Sequence, residues 1–185
     1  MELIELNGLN VNDGIKEIII SQKECIVYGI PDKNYVFCGY SNILNKQFCV
    51  ENDITLLDFP NEGGVIVVSE GDFDIGHFSK KTDNTFNDDF AKTLETYLKE
   101  KNIDARFMGN DLIVDGKYKC GSFSSRRFGE IIYNAFHVSI NCDLEMIKNI
   151  CLKPMVKIPK GLKEYGISTQ QIKSLFLSFV HTYNK

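Results

Sequence analysis

The stretch Asn61-Glu-Gly-Gly-Val-Ile-Val-Val-Ser-Glu-Gly-Asp72 contains residue types that can bring backbone up to a ligand. The adjacent Gly63 and Gly64 turn the chain tightly and can present bare N–H groups to an anion or a carbonyl. Four apolar β-formers follow and a Gly-Asp pair closes the run, so the turn leads directly into a buried strand. A glycine pair in this setting is first of all a turn, and its chemistry depends on what the fold gathers around it. Two cationic groups offer contacts to anions. Ser124-Ser-Arg-Arg127 reads as the solvated end of a hairpin, able to grip phosphate or an acidic surface. Lys153, Lys157, Lys160 and Lys163 crowd one loop and could steer an acidic protein partner, or serve only solubility.

Cysteines stand at 25, 38, 49, 120, 142 and 151, mostly in apolar stretches and never as Cys-x-x-Cys, which predicts buried thiols rather than disulfides or a zinc site. His77, His137 and His181 are too dispersed to suggest metal ligation, so no metal is expected. No Walker loop, Rossmann fingerprint or local Ser-His-Asp motif is present.

The elements that must position these groups belong to one domain spanning 1–185. Its 43% hydrophobic and 25% charged residues suffice for a single sizeable core. A net charge of -4 gives no general electrostatic reason to bind nucleic acid or an anionic membrane. Met1-Glu-Leu-Ile-Glu-Leu lacks the basic start and apolar core of a signal peptide, and no apolar run has the length of a membrane span. The expectation is a cytoplasmic protein.

Along the chain, Met1 to Leu6 alternates like an edge strand. Asn12 and Asp13 can cap a helix carrying Ile15, Ile18 and Ile19 on one face. Cys25–Ile30 and Tyr35–Gly39 read as strands joined by the Pro31–Asn34 turn, Ser41–Lys46 as a loop, and Ile54–Phe59 as a strand leading to the glycine pair. Asp72–Ser79 is expected to pair beside the strand after that turn. Phe86, Phe90, Leu94 and Leu98 predict an amphipathic helix from Thr85 to about Lys101. Further strands are expected at Ala105–Met108, Leu112–Asp115, Lys117–Phe123 and Ile131–Asn141, and a short helix after Asp143. An ordered loop at Leu152–Gly166 then leads to a final helix capped by Ser168 and Gln171. Strands mixed with helices indicate an α/β or α+β sandwich.

Taken in series, Tyr35-Val-Phe-Cys-Gly-Tyr-Ser, the Gly63-Gly64 strand ending at Gly71-Asp72, Gly109-Asn-Asp-Leu-Ile-Val-Asp-Gly-Lys117, Gly121-Ser122 and the stretch His137 to Leu144 resemble the lipoate-protein ligase and octanoyltransferase family. The resemblance runs from about Val11 to Gly166. It implies the catalytic fold shared with biotin protein ligases, a mixed β-sheet with helices packed mainly on one side. It also implies attachment of a lipoyl or octanoyl group to a lysine of an acyl carrier or lipoyl-domain protein. By this resemblance Gly63 and Gly64 approach the acyl carbonyl or adenylate phosphate, Asn110 and Asp111 lie at the nucleotide end, Gly121 and Ser122 flank the catalytic strand, and His137 begins a pocket-lining strand.

Departures from the family pattern decide between donors. Where its ligases carry two arginines before the glycine-rich turn, this chain has Asp58-Phe59, and the strand's usual histidine is Val68. A pyrophosphate needs compensating positive charge, so the exchange argues against activation by ATP and magnesium. In Asp115-Gly-Lys-Tyr-Lys-Cys-Gly-Ser122 the family's lysine position falls on Tyr118. Neighbours on a strand face apart, so Lys117 and Lys119 oppose Tyr118, and neither substitutes for that lysine without a bulge or a register shift. A cysteine thioester, formed near a cation, would replace ATP activation. Cys120 and Cys151 are the candidate nucleophiles and Lys119 their electrostatic partner. The alternative is a catalytically lapsed family member, a pseudoenzyme that binds a ligand or a protein.

Overall fold

The computed structural model describes residues 1–7, 10–38, 43–57, 65–81 and 85–184. In chain order the elements are β1 (Glu2–Asn7), α1 (Asn10–Ser21), β2 (Cys25–Ile30), β3 (Tyr35–Cys38), α2 (Lys46–Glu51), β4 (Thr55–Leu57), β5 (Val65–Val68) and β6 (Phe73–Ser79). They continue with α3 (Thr85–Glu100), β7 (Ala105–Met108), β8 (Asp111–Val114), β9 (Tyr118–Phe128), β10 (Ile131–Val138), α4 (Leu144–Ile150), β11 (Ile158–Pro159), a 3-10 turn at Leu162–Tyr165, and α5 (Thr169–Tyr183).

The large mixed sheet runs β1-β2-β6-β10-β9-β8-β7, with β11 beside the start of β9; β1–β2 and β11–β9 pair parallel and the other pairs are antiparallel. Its central strands are buried on both faces, which is why Cys25–Ile30 reads as a continuous apolar run rather than an alternation. On one face α3 and α5 lay down Phe86, Phe90, Leu94 and Leu98, and Ile172, Phe176 and Val180, over Phe73, Phe136 and Val138. Edge-to-face contacts of Phe176 with Phe73 and of Phe90 with Phe136 tie these layers together. The other face carries Ile15 and Ile18 of α1 against Val27, Phe78 and Tyr133. The capping box of α5 forms as its sequence predicts, with Ser168 and Gln171 exchanging bonds.

Several local expectations change. β2 and β3 do not form a hairpin. β3 leaves the large sheet and becomes the middle of a separate three-stranded sheet, β4-β3-β5, which packs with α2 and α4 around Val36, Leu44, Cys49, Ile54 and Ile150. β6 pairs with β2 and β10 rather than with β5. The helix α2 was not foreseen: Asn45 caps it by accepting from Phe48 N–H, and only Cys49 of its residues is buried, so its periodic signal is weak. Ser124–Arg127 lies inside β9, paired with Ile132–Ala135, and the hairpin turn comes later at Gly129-Glu130.

Candidate active site

A cleft of about 560 Å³ opens between the two sheets, on the face of the large sheet opposite α3 and α5. Val65 and Val67 of β5 supply an apolar wall, and Ile147 of α4 with Met155 and Val156 of the following segment extends it. The facing wall is polar: Asp111 of β8, Lys119 and Ser122 of β9, and His137 and Ser139 at the end of β10.

Lys119 reaches this wall because β9 is bulged. Leu112 pairs with Gly121 but the next residue of β8, Ile113, pairs with Lys119, so Cys120 is the extra residue. A bulge of this kind reverses the facing of every residue beyond it. Tyr118 and Cys120 consequently face the helix-side core while Lys119 and Ser122, three apart, share the cleft. The bulge sits where β9 changes neighbours. Lys119 C=O accepts from Lys160 N–H of the β11 segment (3.0 Å), and Cys120 C=O accepts from Ser139 N–H (2.9 Å) at the end of β10. Tyr118, on the core side, receives Lys160 over its ring at 4.5 Å, and the same ammonium lies 4.4 Å from the Tyr165 ring.

Asp111 holds two cations. One carboxylate oxygen is 2.8 Å from Lys119 Nζ and the other 2.5 Å from Lys157 Nζ. Burial pushes the carboxyl up, but the two lysines outweigh it and hold Asp111 below its ordinary value.

His137 is buried among carboxylates. Its Nδ1 lies 2.8 Å from Asp74 Oδ1, and its Nε2 lies 3.0 Å from Ser139 Oγ and 3.5 Å from Asp72 Oδ2. The Tyr35 hydroxyl donates to the second oxygen of Asp74 at 2.5 Å. Burial works against the imidazolium, yet the bond to Asp74 and the two acidic charges raise His137 above its ordinary value. Asp72 is 1% exposed and serves the backbone: Oδ1 accepts from Ile140 N–H (2.7 Å) and Asn141 N–H (2.9 Å), and Oδ2 from Ser69 N–H (2.8 Å). Burial pushes its carboxyl up to about 6, against the opposing pull of His137 and these three donors.

The anticipated residues separate accordingly. Lys119, Asp111, Gly121, Ser122, His137 and Cys151 line one cleft. Cys151 ends α4, its N–H donating to Ile147 C=O at 3.0 Å. Cys120 is not brought to the cleft: it is fully buried on the opposite face of β9, and burial pushes its thiol up to about 12. Asn110 sits exposed in the turn between β7 and β8, where its C=O accepts from Phe123 N–H at 2.7 Å. Gly63, Gly64 and the Asp58-Phe59 pair lie outside the described residues. Asp74, Ser139 and Tyr35 were missed. His137 and Ser139, two apart at a strand end, share a face by the period of a strand, but Asp74 reaches His137 only through the β6–β10 register.

Gly121 is needed for close packing, since a Cβ there would stand 2.6 Å from the backbone oxygen of His137. Gly121→Ala is expected to cost about 1–3 kcal/mol in chemical denaturation, because β10 cannot retreat without losing its ladder. An unchanged midpoint would show that the two strands tolerate separation.

Among the described residues, no group of three or more His, Cys, Asp or Glu is placed to hold a metal ion, and no helix is long and apolar enough to cross a membrane. The family model described as the lipoyl protein ligase A/B catalytic domain matches residues 15–178. A search of curated proteins finds no match by sequence. Among solved structures, Plasmodium falciparum LipL1 in complex with lipoate superposes with a TM-score of 0.80 at 10% identity, covering 100% of this chain and 60% of that one. The present chain therefore spans about three fifths of that relative's length. A bi-partite lipoate protein ligase described with its E2 lipoyl domain, from Thermoplasma acidophilum, gives 0.76 at 16% identity over 96% of this chain and 81% of that one. Lipoate-protein ligase A bound with ATP also gives 0.76 at 16%, over 97% and 85%. At these identities the superpositions establish the fold.

Proposed function

The chain belongs to the lipoyl protein ligase A/B catalytic domain family, and from that premise we propose that it transfers a lipoyl or octanoyl group from a thioester donor to a lysine of a small carrier or lipoyl-domain protein. The observation that carries this reading is the bulge in β9, which turns Lys119 into the cleft. There its ammonium can stabilise the oxyanion formed when an acyl carbonyl is attacked. The apolar wall of Val65, Val67, Ile147 and Met155 suits a medium acyl chain.

Among the described residues, Cys151 is the cysteine that lines the cleft, and to it we assign the acyl group in passing. Its thiolate attacks the donor thioester, the donor thiol leaves with a proton, and the acyl group rests on Cys151. The carrier lysine, as free amine, then attacks, forming the amide and returning the thiol. Cys120, being in the core, has no part in this scheme.

A relative in this fold holds ATP. For this chain, donation from a thioester is favoured because two of the three lysines lining the cleft, Lys119 and Lys157, are already paired with Asp111, which reduces the positive charge free for a triphosphate. Intact mass spectrometry after incubation with an octanoyl-carrier thioester tests the scheme. It should show one octanoyl adduct, removed by neutral hydroxylamine and mapped to Cys151, and octanoylated lysine once a lipoyl domain is added. Transfer seen only with ATP and free octanoate would overturn the donor assignment. No transfer under either condition would leave a ligand- or protein-binding module.

A further inference from the structure

We infer that Ser139, His137 and Asp74 form a nucleophilic triad that gives the cleft a second activity, hydrolysis of activated medium-chain acyl esters, with Ser139 holding the acyl group. The three do not form a motif in the chain, since Asp74 and His137 are 63 residues apart. They meet because β6 and β10 pair with Asp74 opposite His137, and Ser139 follows on the same face.

The geometry is that of a nucleophile, a base and an orienting acid in hydrogen-bonded series, which defines such a triad whatever the fold. Asp74 Oδ1 lies 2.8 Å from His137 Nδ1, and His137 Nε2 lies 3.0 Å from Ser139 Oγ. The Tyr35 hydroxyl on the other oxygen of Asp74 fixes the carboxylate plane. With Nδ1–H directed at Asp74, the Nε2 lone pair is left to accept from Ser139. Asp72, 3.5 Å from Nε2, supplies a further negative charge for the imidazolium formed when Ser139 gives up its proton. Its own oxygens are already taken by three backbone N–H groups, so it does not displace Ser139 from the imidazole. Ser139 is half-buried and lines the cleft with Lys119, which offers the cation for an oxyanion.

In the acylation step Ser139 Oγ bonds to the carbonyl carbon while its proton passes to His137 Nε2. The ester C–O bond breaks, and the leaving oxygen either recovers that proton from His137 or departs as a phenolate, in which case His137 releases the proton to solvent. Water then attacks the acyl-serine, His137 taking its proton, the C–Oγ bond breaks, and the carboxylic acid and Ser139 hydroxyl are released. No metal, nucleotide, carrier or cysteine is needed, so this activity stands apart from transfer through Cys151.

The test is p-nitrophenyl octanoate with the full chain and no carrier, followed by nitrophenolate release, intact mass and peptide mapping. The expected result is turnover with an octanoyl adduct on Ser139 that resists neutral hydroxylamine, and its loss in Ser139→Ala. Asp74→Asn should lower kcat by about 10²–10⁴-fold with KM little changed, a split that a purely structural role would not produce. Should Ser139→Ala fail to fold, mapping on the unaltered chain still decides. An adduct confined to Cys151 or to surface residues, or none at all, overturns the triad. Failure of carrier acylation leaves it untouched, because no carrier enters the assay.

Discussion

Lys119→Met is expected to slow octanoyl transfer to the carrier by about 10²–10³-fold, the usual effect of removing one donor that meets a developing oxyanion. The substitution keeps the length and much of the apolar stem, so the acyl wall is conserved while the charge is lost. Stability should change little. Lys119 is 37% exposed and its partner Asp111 retains Lys157, so no buried anion is stranded and the pair behaves as a surface one worth less than about 1 kcal/mol. Rate and thermal midpoint therefore separate the catalytic and structural accounts: a single-turnover rate within about twofold of the unaltered chain would remove Lys119 from the mechanism.

The largest effect on stability is expected at Asp72. Asp72→Ala leaves the buried N–H groups of Ser69 and Ile140 and the part-buried one of Asn141 without their acceptor, and withdraws a charge from beside His137. Breaking such a buried arrangement costs about 3–5 kcal/mol, a fall in melting temperature on the order of 10 °C for a chain of this length. The same residue sets a pH dependence. Its native carboxyl titrates near about 6 against an ordinary 3.8. Between those values the folded state keeps a proton that the unfolded chain has lost, so this contribution to stability is present below 3.8 and disappears as pH rises through about 6. Asp72→Asn, which cannot titrate, should remove that downward slope. Denaturation midpoints taken across the window for both proteins would show it, and parallel curves would refute the assignment.

Elements with a strong local period were legible from the residues alone. Phe86, Phe90, Leu94 and Leu98 announce α3, and Ser168 with Gln171 announces α5, because both signals lie within a few turns of chain. What failed was partner choice. Nothing local to Cys25–Ile30 and Tyr35–Cys38 says that two strands joined by four residues belong to different sheets, since that depends on where α2 and α4 can bury Cys49 and Ile150. The site divides similarly. Lys119, Ser122 and His137 were identifiable from the series of motifs they stand in, and the need for a bulge was stated by strand alternation itself. Asp74 and Tyr35 were not, because their roles arise from contacts 63 and 39 residues away in sequence. Cys120, a candidate nucleophile by its place beside the lysines, lies in the core, since only the register decides which of two adjacent residues looks inward.

The extra residue in β9 has an evolutionary reading. With Cys120 present, the cleft receives Lys119 and the core receives Tyr118. Taking Cys120 into the ladder opposite Ile113 would reverse the two, whereas deleting it would straighten the strand and leave both where they are. The ammonium's address is thus set by counting rather than by identity, and kindred chains that place their lysine one position away can present it to the same opening.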